Sequence, residues 1–122
     1  MNIRTERSGT SVRAVVEGAC NIYSVRNLSD GLVPLYTNST ELTIDASRID
    51  EMDSAAFQFF LALKKDAVQS GRKVTFIHHS PAMLRFLDLY GAAGLFHDRL
   101  AISKKDKNNY SFKYGTKITK FE

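Results

Sequence analysis

The chain has 122 residues, 43% of them hydrophobic and 25% charged, which suits one soluble globular domain and leaves no room for two. Its single cysteine, Cys20, excludes an internal disulfide framework. The net charge of +4 lies wholly in residues 104–122, because residues 1–103 carry eleven basic and eleven acidic side chains.

Elements follow in chain order. Residues 12–16 alternate as a short strand that Glu17-Gly18 closes. Ile22, Val25, Leu28, Leu32 and Leu35 have helical spacing, although Gly31 and Pro34 weaken the end of that helix. Residues 41–46 form an apolar run of strand length. Asp53 or Ser54 then caps a helix that lasts to Ser70-Gly71, where glycine stops it. Residues 73–77 are β-branched and aromatic, hence a strand. Ser80-Pro81 opens a helix with a cap and a proline at its first position, and this helix runs to about Tyr90-Gly91. Residues 99–102 read as a last strand. Strands alternating with helices predict an α/β domain over residues 1–103, with a mixed, mostly parallel sheet and flanking helices. Val15, Leu42, Ile44, Phe59, Phe60, Leu63, Val74, Phe76, Leu84 and Leu87 are its expected core.

The six lysines at 104, 105, 107, 113, 117 and 120 make residues 104–122 a basic extension, expected to be solvated. Tyr110, Phe112 and Tyr114 are interleaved with them, which suits either an acidic partner or an edge strand. A tail alone does not make a nucleic-acid binder, so none is expected. The first residues lack the apolar core of a secretory signal, and no stretch is long enough to span a bilayer. A cytoplasmic protein without membrane insertion is the expectation.

The segment from Leu42 to Leu63 carries most of the functional signal. An apolar run ends in Asp50 and Glu51, turns, and enters a helix through Asp53-Ser54. The first N–H groups of a helix lack intrahelical partners and favour an incoming anion, a phosphate or a partner's loop. Along that helix, Ala56, Phe59, Phe60, Leu63 and Ala67 form one apolar stripe. Phe57, Leu61 and Val68 form a second, roughly 120° away on the helical wheel. The second stripe serves either a neighbouring helix or, through Phe57 and Leu61 beside the turn, a partner.

Catalytic readings find little support. Asp45, Asp50, Glu51 and Asp53 are crowded into one stretch rather than distributed as a Mg²⁺ site in a receiver-like fold would need, and no matching lysine follows. His78, His79 and distant His97 lack metal-ligand spacing. Cys20 has no His or Asn partner by spacing and reads as a structural thiol. Gly91-Ala-Ala-Gly94 follows a helix instead of opening one, so it is no phosphate loop. No enzyme activity, metal or cofactor is expected.

The order of Ile44-Asp45-Ala-Ser47, Met52-Asp53-Ser54-Ala55 and the helix from Ser80-Pro81 to Tyr90 resembles the STAS domain family, which includes anti-sigma-factor antagonists. The resemblance spans residues 12–102. It implies a binding module that acts on a protein partner, of the kinase-like anti-sigma or chemotaxis type. In the antagonists, the second hydroxyl of an Asp-Ser-Ser-Gly turn is phosphorylated. Here Ala55 stands at that position, which leaves Ser54 as the candidate hydroxyl. The turn is closer to the Asp-Thr-Ala-Gly of two other STAS groups. One is the accessory subunit that binds the ATPase of lipid-transport ABC complexes; the other is associated with chemotaxis proteins. Gln58, Lys64 and the stretch Phe96-His97-Asp98-Arg99-Leu100 favour the second group. The candidate partner surface comprises Asp50, Glu51, Asp53, Ser54, Ala55, Phe57 and Leu61.

Overall fold

A computed structural model describes residues 1–91, 99–102 and 117–121. Its elements are β1 (Asn2–Ser8), β2 (Ser11–Cys20), α1 (Val25–Thr37), β3 (Glu41–Met52), α2 (Ser54–Ser70), β4 (Lys73–Ile77), α3 (Pro81–Leu89), β5 (Arg99–Ile102) and β6 (Lys117–Phe121). A four-stranded sheet has the order β1-β2-β3-β4, with β1 antiparallel to β2 and the other two pairs parallel. This is the mixed, mostly parallel α/β architecture expected.

One face of the sheet is dry. Val12, Ala14 and Val16 on β2, Leu42, Ile44 and Ala46 on β3, and Val74 and Phe76 on β4 are all buried. Period-two alternation puts these residues on one side, and their neighbours Arg13, Thr43, Asp45 and Thr75 on the other. From α1, Leu28, Leu32 and Tyr36 are buried in the same core. Residues Ala56, Phe57, Phe60, Leu61, Leu63 and Ala67 of α2 and Met83, Leu84, Phe86 and Leu87 of α3 complete it. Val15 and Phe59, expected in the core, are only half-buried: Val15 points to the opposite face of the sheet, and Phe59 lies at the core margin.

Three elements differ from expectation for definable reasons. First, β1 was not expected. Its residues are mostly charged or polar, and it is fixed by a two-residue hairpin connection in which Gly9 adopts a φ of 62°. Second, β2 does not stop at Gly18. Register shifts around Gly18, which takes a φ of 106°, let the strand continue to Cys20. Third, β3 extends with β2, pairing Gly18 with Ile49, Ala19 with Glu51 and Cys20 with Met52. Asp50 and Glu51 therefore sit at the end of a strand rather than in a loop.

The doubtful end of the first helix is also explained. A Cβ at Gly31 would lie 2.5 Å from the Ile3 side chain, so the missing side chain admits β1 against α1. Pro34 lies inside α1 and is exposed. Ile22 falls before the helix, which starts at Val25.

Residues 99–102 form a strand as expected, but β5 pairs in parallel with β6, not with the four-stranded sheet. The stretch 117–121 of the basic extension thus forms a strand. Gly94, Phe96, His97, Asp98, Lys104, Lys105, Lys107, Tyr110, Phe112, Lys113 and Tyr114 lie outside the described residues. Among those described, no helix is long and apolar enough to cross a membrane.

Candidate functional site

The α2 N-terminus is built around one carboxylate. Asp53 has extended backbone angles (φ −121°, ψ 178°) and its Oδ1 accepts the Ala56 N–H at 3.0 Å, which makes it the N-cap. Its Oδ2 accepts the Ile22 N–H at 2.8 Å, from the connection between β2 and α1. The Asp53 N–H in turn donates to the Cys20 carbonyl at 3.1 Å. One residue therefore caps α2 and ties two distant segments together.

The connection 21–24 is itself braced. The Asn21 Oδ1 accepts the Tyr23 N–H at 2.9 Å, and its amide nitrogen donates to Glu51 Oε2 at 3.1 Å. The Ser24 hydroxyl accepts the Asn21 N–H at 2.9 Å and donates to the Ala19 carbonyl at 2.8 Å. These bonds hold Ile22 and Tyr23 outward, 66% and 92% exposed, beside the Asp53 turn. This loop was missed in the sequence because its partners lie about thirty residues away.

The expected partner surface divides in two. Asp50, Glu51 and Ser54 are exposed, and Asp53 and Ala55 are half-exposed. Phe57 and Leu61, expected to offer apolar area there, are buried at 6% and 7% exposure. Phe57 packs on Phe86 of α3 with ring centroids 5.3 Å apart, so α3 covers Phe57. Only the far member of the second stripe, Val68, stays in solvent at 83%.

Ser54 does not cap the helix. Asp53 does, and Ser54 is an exposed first-turn residue. Ser54→Ala is therefore expected to change stability by less than about 0.5 kcal/mol. Asp53→Ala should cost about 2 kcal/mol, combining a lost cap with a lost charged hydrogen bond to Ile22. Urea unfolding of the two variants against the parent checks the contrast. Equal midpoints would remove Asp53 as the clamp.

The titratable groups nearby are structural. Burial, with Asp50 adding to it, pushes the Cys20 thiol up to about 12, so it stays protonated and inert. For Asp45, partial burial raises the carboxyl, but hydrogen bonds from Ser47 and Arg13 outweigh it and hold the group below its ordinary range. The Arg13–Asp45 ion pair measures 2.9 Å. Asp45 stands five residues up β3 from Asp50, roughly 16 Å at strand rise, too far to share a cation with the Asp50 cluster. Among the described residues, no group of three or more His, Cys, Asp or Glu is placed to hold a metal ion. His79, just before the Ser80 cap of α3, is buried, and its Nε2 has no hydrogen-bond partner among the described residues.

Comparisons with known proteins bear on this geometry. A family model described as "Mlab, STAS domain" matches residues 3–100. No curated protein matches the chain. Among solved structures, the anti-sigma factor antagonist SpoIIAA in its unphosphorylated form is similar with a TM-score of 0.64 and 14% identity, covering 80% of this chain and 87% of that one. The Bacillus cell fate determinant SpoIIAA in its phosphorylated form gives 0.60 and 15%, covering 80% and 90%. The crystal structure of Mglu gives 0.54 and 19%, over 61% of this chain and 19% of that one. At such identities the likeness is one of fold.

Proposed function

The chain belongs to the STAS domain family, and we propose that it is a non-catalytic regulatory module that binds a signalling protein through the Asp53-Ser54 turn. The partner is of the sigma-factor or chemotaxis type, and the complex forms in the cytoplasm. The observation that carries this reading is the rigid, exposed turn at the α2 N-terminus. Hydrogen bonds of Asp53 with Ala56, Ile22 and Cys20, and of Glu51 with Asn21, brace it. A preorganised surface loses little conformational entropy on docking. The similarity to SpoIIAA, an anti-sigma factor antagonist, supports the same reading.

Within this proposal, residues 1–103 are the binding domain and 104–122 an extension. Asp50, Glu51, Asp53, Ser54 and Ala55 form the contact surface, while Phe57 and Leu61 support it from beneath. Ser54 is the hydroxyl open to phosphorylation, since Ala55 offers only a methyl group. A phosphate there would add negative charge at the helix N-terminus and alter docking.

A second reading is an accessory STAS subunit that binds the ATPase of a lipid-transport ABC complex. Ala55 in the turn and the description of the matching family model favour it. Both readings place the partner on the same turn.

Ser54→Trp tests that placement without changing charge. An exposed first-turn residue tolerates the substitution, so the melting temperature should hold while the indole blocks the approach. Calorimetry with the partner recovered by affinity capture should show at least about a tenfold loss of affinity, the size of a typical hot-spot effect. Unchanged affinity would move the interface elsewhere.

A further inference from the structure

The exposed apolar area beside the turn does not come from the helix. It comes from Ile22 and Tyr23, which stand out of the β2–α1 connection at 66% and 92% exposure. Large side chains held this far into water on a braced loop gain nothing in the free protein. Their backbone is fixed to the turn by the Ile22–Asp53 hydrogen bond and the Asn21–Glu51 bond, so knuckle and turn form one surface.

Carboxylates cluster on that surface. Asp50, Glu51 and Asp53 come together at the end of β3, and the carboxylate of Asp53 already occupies the capping position that an incoming anion would take. No Lys or Arg lies within residues 49–63 or 14–25; Arg26 and Arg48 border these stretches, and the Met1 amino group lies beside Gly18. An acidic or phosphorylated ligand would meet three carboxylates. A cationic one would meet complementary charge, and the exposed Tyr23 ring suits a guanidinium.

We propose that the knuckle of Ile22 and Tyr23 is the apolar anchor of the docking surface, and that its occupant is a partner segment carrying Arg or Lys beside an apolar side chain. The inference rests on the proposed function and names the chemistry of the partner for that same turn. Phe57 is excluded as the anchor because α3 covers it.

The test uses the full chain, ¹⁵N-labelled, and two synthetic twelve-residue peptides of identical leucine content. One carries arginine at its charged positions and the other glutamate. The arginine peptide should shift the amides of residues 21–24 and 50–55, with binding that weakens as salt rises from 50 to 300 mM, as screening of exposed charges at about these strengths requires. Tyr23→Ala should weaken it about fivefold or more, and Glu51→Lys by a similar factor, with folding checked by the spectra themselves. Equal or tighter binding of the glutamate peptide, arginine-peptide shifts confined to other residues, or no shifts from it at all would each overturn the assignment. The proposed function fails separately, through unchanged partner affinity in Ser54→Trp. A loss of affinity there, with the knuckle unmoved by the arginine peptide, would keep the turn as the interface and discard the basic partner segment.

Discussion

Phe60→Ala should destabilise the protein by about 3–5 kcal/mol, as phenylalanine truncations in dry cores do. Phe60 is fully buried and stands edge-on to Phe76 of β4, with centroids 5.0 Å apart, where α2 meets the sheet. Removing the ring leaves a void that neither Phe59 nor Phe76 can fill without leaving its own packing. For a domain whose total stability is of the order of 5–15 kcal/mol, that loss is a large fraction of the whole. Val68→Ala, on the exposed side of the same helix, should cost less than about 0.5 kcal/mol. Equilibrium urea unfolding of both variants reads the difference. A Phe60→Ala protein as stable as the parent would mean that α2 is not seated as described.

Acid should destabilise the fold well above the carboxylate range, through His79. Burial, helped by the positive charges of Lys64 and His78, lowers its imidazole from the ordinary 6.5 to about 4. The folded state therefore holds His79 neutral while the unfolded chain protonates it below about pH 6.5. Stability from this group is complete above that pH, falls as the pH drops, and is fully lost near pH 4. The span corresponds to roughly 3 kcal/mol at 1.36 kcal/mol per pKa unit. His79→Leu should flatten the pH dependence of the urea midpoint between pH 6.5 and 4. An unaltered slope in that variant would show that His79 is not the group responsible. Asp45, whose carboxyl is held below its ordinary range, adds a loss in the same direction at lower pH.

Where local chemistry fixes an element, the sequence was legible. The bounds of α2 were readable because Asp53 and Gly71, with its φ of 70°, are end signals that need no tertiary information. The same holds for α3, where Ser80 accepts the Met83 N–H and Pro81 occupies the first turn. By contrast, β1 has few apolar residues to betray it, and its pairing is visible only in the Gly9-Thr10 turn. The second stripe of α2 was correctly periodic, yet a helical wheel cannot say which neighbour covers it. Phe86 of α3 packs on Phe57, which turns that residue from an interface residue into a core one. Phe57→Ala is therefore a poor probe of binding, since it would weaken the fold first.

The site was legible by half. Asp53-Ser54 announced a helix N-terminus, but the division of labour between a capping aspartate and a free serine needed coordinates. The Asn21-Ile22-Tyr23 loop reaches the turn through contacts between residues thirty or more apart, such as Ile22 with Asp53. Nothing in the local pattern of those three residues signals such contacts.

The central claim is that the partner docks on the α2 turn. Amide hydrogen exchange of the full chain, alone and saturated with its captured partner, tests it most directly. Exchange reports local opening, so a docked segment should slow amides beneath it while leaving remote ones unchanged. The account predicts new protection at residues 21–24 and 50–56, with none at the Gly9 hairpin or the C-terminal turn of α2. Protection that bypasses residues 50–56 and appears on β1 or the exposed face of α1 would contradict it.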